Sequence, residues 1–309
     1  MAFEMPWVPP GITVRVDGRG EFFVRHHRHP DPAAPVVLLL HGWTASSDLQ
    51  FVAAYRELAE RFSIVGLDHR GHGRGLRSPD PFTLEDAADD AAAVLRALGI
   101  AQAVVVGYSM GGPITLHLTR RHRELVAGIV VQATALEWRG TWRERILWRL
   151  LPVGGSWLRT KGYRWYVSRA VPKLFHLDHE FQPYVPWLVS EMSRNDAFAM
   201  VDAGRALGRY DARDWAGSLA VPAASLVTTR DRLVKPDKQR ALATALRATV
   251  RELPGDHLAA LADARLYSTL TVELVDIVVA AGANAPAAVP PVPPSSPVPP
   301  AVDWTSSSR

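Results

Sequence analysis

The chain has 309 residues, enough for one large α/β domain or two ordinary ones, and its 48% hydrophobic content is ample for a buried core. It contains no cysteine, which excludes a disulfide framework, a thiol nucleophile and a cysteine metal site. The formal net charge is only +4, and we expect no nucleic-acid partner.

The first ten residues have neither the basic start nor the apolar stretch of a signal peptide. The longest clean apolar runs elsewhere, such as Val36 to Leu40, are far shorter than the roughly 20 residues that a membrane helix needs. We therefore expect a cytoplasmic protein.

Two short strands, Thr13 to Val16 and Glu21 to His26, flank the turn Asp17-Gly18-Arg19-Gly20. Their alternation and the two glycines are typical of a β-hairpin, which we expect at an antiparallel edge. Beyond it, apolar strands alternate with amphipathic helices, a pattern that predicts a mostly parallel sheet covered on both faces. The predicted strands are Val36 to Leu40, Ile64 to Leu67, Ala103 to Tyr108, Ala127 to Ala133, Ala223 to Thr229 and Thr249 to Leu253, and the predicted helices are about Leu49 to Arg61, Leu84 to Leu98, Gly112 to His122, Pro236 to Arg247 and Leu258 to Ala280.

The alternation stops between about Ala135 and Trp215, a stretch that carries seven of the ten tryptophans. We interpret this stretch as an inserted helical cap. After Asn284 the chain is rich in proline, and residues 284–309 are predicted to form a disordered, polyproline-like tail. The sequence therefore divides into a core of residues 1–134 and 216–283, a cap of residues 135–215, and the tail.

A serine stands in a glycine-rich turn between the strand Ala103 to Tyr108 and the helix that follows it. The motif Gly107-Tyr108-Ser109-Met110-Gly111 has the G-x-S-x-G spacing that lifts a serine clear of the backbone. The turn is strained, so Gly107 and Gly111 supply the room that a Cβ would occupy. A lone match can be an ordinary glycine-rich turn, but the strand and helix around this one favour Ser109 as a nucleophile.

A serine hydroxyl needs a base and an acid that orients the base. Asp231 follows the strand Ala223 to Thr229, and His257 follows the next strand, which gives the chain order Ser, Asp, His. Strand-end placement favours Asp231 as the acid, and only His257 among the eleven histidines has both the order and the loop. The competing acids that remain open are Asp211, Asp214, Asp237 and Asp256.

These motifs together resemble the α/β-hydrolase family, from about Gly11 to Ala283. The resemblance implies the α/β-hydrolase fold with a catalytic triad of Ser109, Asp231 and His257. His41-Gly42-Trp43 resembles the family's oxyanion loop, so the backbone N–H groups of Trp43 and Met110 are expected to bind the oxyanion. His41 is expected to brace this loop. Asp68-His69-Arg70-Gly71-His72-Gly73 also looks like a family signature, to which we assign a structural role.

The predicted site contains neither a metal nor a cofactor. The histidines His26, His27 and His29 could suggest a metal site, but neighbouring histidines at a strand end without carboxylates are more often exposed.

The cap indicates an apolar substrate. Its residues Trp138, Trp142, Ile146 and Leu150 recur at every fourth position and so share one helical face. The alternative for this face is packing onto the core. We expect Trp43, Tyr108, Trp138 and Trp142 to bind the substrate.

The cap also carries a local excess of positive charge. Leu136 to Phe175 hold nine basic residues against two acids. A solvated surface is one interpretation, and weak contact with an anionic membrane surface is the other.

The predicted function is hydrolysis of a small-molecule apolar ester through an acyl-enzyme. Because fold and triad do not select a single reaction, C–C bond hydrolysis, amide or peptide hydrolysis and perhydrolysis stay open, as does a non-catalytic ligand-binding protein of the same fold. A serine, rather than an aspartate, at position 109 of the glycine-rich turn argues against the branches of the family that use a carboxylate nucleophile. The oligomeric state is not predicted.

Overall fold

The structure is a computed structural model that describes residues 6–140, 146, 169 and 184–283. Its centre is an eight-stranded sheet in the order β1-β2-β4-β3-β5-β6-β7-β8. The strands are β1 (Gly11–Val16), β2 (Gly20–His27), β3 (Val36–Leu40), β4 (Ser63–Leu67), β5 (Ala103–Tyr108), β6 (Val126–Gln132), β7 (Ala223–Thr228) and β8 (Thr249–Leu253).

The sheet has one antiparallel edge. The hairpin partners β1 and β2 pair antiparallel, β2 pairs antiparallel with β4, and every pair from β4 to β8 is parallel. This arrangement confirms the predicted fold class. The carboxyl ends of β3, β5, β7 and β8 lie at one edge of the sheet, where an open α/β sheet binds its ligands.

The helices follow the predicted pattern with two differences. They are α1 (Ser47–Phe51), α2 (Tyr55–Ala59), α3 (Leu84–Ala97), α4 (Gly111–Arg121), α5 (Val185–Ser193), α6 (Ala197–Arg209), α7 (Pro236–Ala245), α8 (Ala259–Ala262) and α9 (Ala264–Ala283). The predicted helix from Leu49 to Arg61 is two short helices, α1 and α2. The predicted closing helix is interrupted at Asp263, whose backbone is not helical, at φ −129° and ψ 67°.

Two apolar clusters cover the two faces of the sheet. Successive residues of β3 alternate between them: Leu38 and Leu40 belong to the cluster that includes α3 and α4, and Val37 and Leu39 belong to the cluster that includes α2 and α9. This alternation is the two-residue period of a strand that is buried on both sides.

The last helix is apolar enough for two interpretations. By length and composition α9 could cross a membrane, with a mean hydropathy of 1.5, although Glu273 and Asp276 interrupt its apolar residues. Its side chains at Tyr267, Leu274, Val275 and Val278 pack against the sheet in the cluster of α2. It therefore forms part of the core of the described fold.

The two ends of the predicted cap lie side by side. Glu137 and Asp211 form an isolated antiparallel bridge, and the Ala212 N–H donates to the Leu136 carbonyl at 2.8 Å. Between these ends, α5 and α6 are described and most of the basic stretch is not. An insertion that leaves and re-enters the core at one place fits this geometry, while the predicted domain bounds stay a prediction.

Candidate active site

Ser109 lies on the sharp turn between β5 and α4. It has φ 52°, a left-handed conformation that is uncommon for residues other than glycine. A Cβ at Gly107 would collide with the Gly111 carbonyl and the Thr115 hydroxyl, and one at Gly111 would collide with the Leu40 carbonyl. The two glycines therefore permit the turn, as the sequence predicted.

The structure brings Ser109, His257 and Asp231 together in one chain of hydrogen bonds. His257 Nε2 lies 2.9 Å from Ser109 Oγ, and His257 Nδ1 lies 2.7 Å from Asp231 Oδ2. A carboxylate only accepts hydrogen bonds, so Nδ1 carries the imidazole proton and Nε2 accepts the serine proton. The arrangement is the one in which a histidine can act as a general base toward a serine.

The Asp231 carboxylate is held by further donors. Oδ1 accepts from the backbone N–H groups of Leu233 at 2.8 Å and Val234 at 2.9 Å. Oδ2 accepts from Thr228 Oγ1 at 2.9 Å and Gln239 Nε2 at 3.2 Å. The side chain is buried, and these donors satisfy a charge that burial alone would destabilise.

Sequence reasoning missed Thr228 and Gln239. The Gln239 amide donates to Thr228 Oγ1 at 2.8 Å and to the Val234 carbonyl at 2.7 Å, and its oxygen accepts from the Thr228 N–H at 2.9 Å. Gln239 is 1% exposed on α7, one turn before the buried Leu242 and Ala243, and its position on that apolar face was the available signal. These two residues fix the loop that carries the acid.

The competing acid Asp256 has another role. Its Oδ1 accepts from the Leu258 N–H at 2.8 Å, so its carboxylate closes a turn on the surface. Asp237 lies in the first turn of α7 with its side chain 97% exposed.

The loop after β3 lies against the serine. A Cβ at Gly42 would stand 3.2 Å from Ser109 Cβ, a tight contact that the glycine avoids. Trp43 follows Gly42 directly, and Met110 is the N-cap residue of α4, where the helix dipole is positive. The backbone N–H groups predicted to bind an oxyanion therefore belong to two segments that meet at Ser109.

His41 braces this loop, as expected from the sequence. Its Nε2 accepts from the His69 N–H at 3.0 Å and its Nδ1 lies 2.8 Å from the Gly42 carbonyl, which fixes the neutral tautomer with the proton on Nδ1. Burial lowers the pKa of His41 well below its usual value. His41 is thus a neutral structural group.

Asp68 ties the loops after β3 and β4 together. Its carboxylate accepts from the Ser47 N–H at 2.7 Å and from the Arg74 N–H at 2.8 Å. Burial raises the pKa of Asp68 to about 6, against the lowering effect of these hydrogen bonds. The structural role assigned to this motif agrees with these contacts.

Tyr108 differs from the prediction that it binds the substrate. Its ring is 1% exposed, lies in the core cluster of α2 and α9, and its hydroxyl donates to the His257 carbonyl at 3.0 Å. A ring enclosed in the core has no surface to offer a ligand, so the prediction is corrected. Tyr108 instead supports the backbone of the histidine loop.

The three predicted tryptophan contacts have different outcomes. Trp43 is partly exposed, packs against two apolar clusters and donates its indole N–H to the Met200 carbonyl at 2.9 Å. Trp138 is 7% exposed inside the larger core cluster, which agrees with the packing alternative. Trp142 lies outside the described residues, as do Leu150 and most of the basic stretch. The substrate-binding roles of these tryptophans stay predictions.

Within residues 6–140 and 184–283, no group of three or more histidine, cysteine, aspartate or glutamate side chains is arranged to hold a metal ion.

A family model described as the alpha/beta hydrolase fold matches residues 35–151. The match covers the loop after β3 and the serine turn and ends before Asp231 and His257. The position of these two residues beside Ser109 is therefore an observation of the structure.

Two curated relatives each match about a third of the chain. The putative carbamate hydrolase RutD of Caulobacter segnis is 36% identical over 34% of this chain, and the bifunctional esterase/perhydrolase DCH of Acinetobacter calcoaceticus is 39% identical over 32% of it. The matches span only 40% and 36% of these relatives' own lengths.

A solved structure extends the likeness to most of the chain. The enol-lactonase of Burkholderia xenovorans LB400 superposes with a TM-score of 0.74 at 22% identity, covering 86% of this chain and 100% of the lactonase chain. At this identity the likeness shows the fold. The superposition and the family-model match over residues 35–151 together show that the chain has the α/β-hydrolase fold.

Proposed function

We propose that the protein is a serine hydrolase that cleaves carboxylic esters of apolar acyl or aromatic substrates through an acyl-enzyme intermediate. The observation that carries the proposal is the hydrogen-bonded chain from Ser109 through His257 to Asp231. The two hydrogen bonds measure 2.9 and 2.7 Å, and a triad is recognised by geometry of this kind, which supports the proposal.

In the proposed reaction, Ser109 Oγ attacks the ester carbonyl carbon while His257 Nε2 takes the hydroxyl proton. The negative charge moves to the carbonyl oxygen, which the N–H groups of Trp43 and Met110 stabilise. The carbonyl reforms, the ester C–O bond breaks, and His257 returns the proton to the leaving alcohol. A water molecule then attacks the acyl group by the same sequence and releases the acid and Ser109.

The residues around the triad support an apolar substrate. A small apolar cluster lies between the loops after β3 and β8 and the helices α5 and α6. It includes Leu49, Leu188, Met200 and Leu261, with Trp43 and Leu258 packed against it. Trp43 carries a proposed oxyanion donor and Leu258 directly follows His257. Both side chains are partly exposed, so they supply apolar surface next to the reacting groups.

Other serine chemistries stay alternatives because they use the same three residues. The names of the two relatives, a putative carbamate hydrolase and an esterase/perhydrolase, point to two reactions to compare with ester hydrolysis: cleavage of a carbamate, and transfer of the acyl group to hydrogen peroxide to form a peracid. A non-catalytic binding role is the alternative from another class, and the complete hydrogen-bonded chain argues against it.

A panel of 4-nitrophenyl esters with acyl chains from acetate to dodecanoate tests the proposal. We expect turnover that rises in kcat/KM beyond acetate, and no turnover above background in Ser109→Ala. A matched carbamate and a peracid assay on the same preparations distinguish the alternatives. Wild-type turnover in Ser109→Ala would show that the nucleophile is elsewhere, and turnover of the carbamate alone would reject the ester.

A further inference from the structure

The loop after β3, residues 41–46, contains a strained residue next to the proposed oxyanion donor. Thr44 has φ 63°, and a left-handed backbone is a clear outlier for a β-branched residue. Such a conformation persists only where its surroundings impose it. Because Thr44 directly follows Trp43, the same backbone conformation sets the position of Trp43 against Ser109.

Residues 191–200, which include the end of α5 and the start of α6, are hydrogen-bonded to three residues of this loop. Asn195 Nδ2 donates to the Thr44 carbonyl at 2.7 Å, and Ser46 Oγ donates to Glu191 Oε2 at 2.9 Å. The third bond joins the Trp43 indole to the Met200 carbonyl. We call residues 191–200 the brace. It lies within the predicted cap, about 150 residues from the loop in sequence.

Asn195 is the central contact of the brace. Its Oδ1 accepts from the Gly73 N–H at 2.8 Å, while its Nδ2 holds the Thr44 carbonyl. One buried amide, 7% exposed, thereby connects the loop after β4 to the loop after β3. Losing either bond would leave a buried polar group without its partner.

Glu191 anchors the brace from the other side. It is 1% exposed, and its Oε1 accepts from Arg74 at 2.7 Å and from Arg194 at 3.1 Å. Arg74 also pairs with Asp48 at 3.2 Å. A buried carboxylate requires such partners, so the brace is held firmly against the core loops.

We propose that Asn195 is a positioning residue for catalysis: by holding the Thr44 carbonyl it keeps the loop after β3 in its left-handed conformation and fixes the Trp43 N–H beside Ser109. The inference rests on the proposed function, since a fixed N–H matters to an oxyanion. It assigns this segment of the predicted cap a part in the reaction in addition to covering a substrate.

The test is Asn195→Asp, which keeps the size and the acceptor for Gly73 but places a carboxylate oxygen opposite the Thr44 carbonyl. We expect kcat on a 4-nitrophenyl ester to fall roughly tenfold to a hundredfold, below the full loss of an oxyanion donor, with KM within about twofold. Affinity for a trifluoromethyl ketone, which forms the oxyanion with Ser109, falls by the same factor. Asn195→Ala gives the same order of effects if the aspartate variant folds poorly.

Arg77→Ala is the matched control. Arg77 donates to the carbonyls of Gly73 and Arg194 at 2.7 and 2.8 Å, so it joins the same brace to the loop after β4 without contacting the loop after β3. Its loss should lower Tm and leave kcat within about twofold, because its hydrogen bonds stabilise the fold without reaching the loop after β3.

Two further measurements make the assignment specific. Adding Thr44→Gly to the Asn195→Asp variant should recover kcat severalfold, because glycine adopts positive φ without strain. Hydrogen exchange in the peptide of residues 41–47 should be faster in Asn195→Asp than in the wild type or Arg77→Ala. Hydrogen exchange does not depend on turnover. An inactive wild type would therefore reject the proposed function, while the exchange comparison would still test whether Asn195 fixes this loop. Unchanged kcat and exchange in Asn195→Asp, or no recovery with Thr44→Gly, would overturn the inference.

Discussion

Gln239 illustrates, at the scale of single residues, how the proposed triad depends on groups that never touch a substrate. Its amide bonds to Thr228, Val234 and Asp231 at once. An acid that orients a histidine must itself be fixed, because a displacement of about 1 Å at a reacting group can cost two orders of magnitude in rate. The structure supplies that fixation from α7.

Gln239→Leu is predicted to lower kcat for ester hydrolysis by about tenfold or more, with KM little changed. The reason is that the Asp231 loop loses its contacts to the Gln239 amide, while the Thr228 N–H loses its acceptor. The free energy of unfolding should fall by about 1–3 kcal/mol for the unsatisfied groups. Steady-state kinetics and urea unfolding measure both.

Arg240→Leu, on the exposed side of the same helix, is the control, since it pairs with Glu252 at the surface. Surface ion pairs contribute little to stability, so this variant should keep wild-type kcat. If both variants had the same kcat as the wild type, Gln239 would have no part in positioning the acid.

The sequence predicts the residues of this site unevenly. Ser109 could be located because its glycine spacing is dictated by backbone sterics, and His257 because it follows a recognisable strand. Gln239 and Thr228 could not be located, since their pairing joins a helix to a strand end and is created only by packing. Tyr108 was misassigned because a strand sequence alone does not say which face a residue at its end will occupy.

At the scale of elements, the turn between β5 and α4 is the feature most tightly fixed by sterics. A Cβ on Gly107 would meet the Gly111 carbonyl and Thr115 Oγ1, and neither can withdraw freely, because Thr115 Oγ1 is hydrogen-bonded to that carbonyl. A side chain at Gly107 would therefore displace the turn, the start of α4 and Ser109 together.

Gly107→Ala is predicted to destabilise the protein by more than about 3 kcal/mol or to prevent soluble expression, because overpacking here displaces backbone. Gly18→Ala provides the comparison. Gly18 has φ 73° with open space around it, so the variant tests strain without a collision and should lose only about 1 kcal/mol. Equal losses of stability in thermal unfolding would show that the turn is not sterically constrained.

The strands and their order could be predicted because buried parallel strands have long apolar runs. The break between α1 and α2 could not be predicted. The chain turns at residues 52–54 without a glycine or proline, because Leu49 packs into the small cluster near the site and Phe51 and Tyr55 pack under the sheet. The break at Asp263 did have a signal, since its side chain accepts from the Leu266 N–H and begins α9.

At the scale of the whole molecule, stability is linked to pH through three buried histidines. The rings of His41, His69 and His72 lie within 6.3 Å of one another between centroids. Burial lowers the pKa of His69 to about 3 and that of His72 to about 4, and lowers that of His41 as well. In the unfolded chain each would titrate near 6.5. Their contribution to stability is complete above pH 6.5 and is lost as pH falls.

Asp68 acts in the opposite direction. Its pKa of about 6 is above its unfolded value, so the folded state holds this proton more tightly and gains stability as pH falls toward 4. As pH falls from 6.5 to 5.5, the three histidines lower the free energy of unfolding by more than Asp68 raises it. The free energy of unfolding is therefore predicted to fall by about 2 kcal/mol between pH 6.5 and 5.5, at about 1.4 kcal/mol per pH unit for each excess proton bound by the unfolded chain.

Urea unfolding of the wild type and His69→Phe at pH 7.5, 6.5 and 5.5 checks this prediction. Both ring nitrogens of His69 are buried without a partner in the described structure, and its backbone N–H bond to His41 survives the change. The pH-dependent loss should be smaller by about 1 kcal/mol in His69→Phe. The same loss in both proteins would mean that His69 is not neutral in the folded state.

The central claim is that the fold places Ser109 where His257 can take its proton. The most direct measurement is the site and rate of labelling by a fluorophosphonate probe, followed by mass spectrometry of the modified peptide. We predict a single adduct on Ser109 in the wild type, a rate at least about a hundredfold lower in His257→Ala, and no adduct in Ser109→Ala. An unlabelled wild type, or equal labelling of the wild type and Ser109→Ala, would contradict the claim.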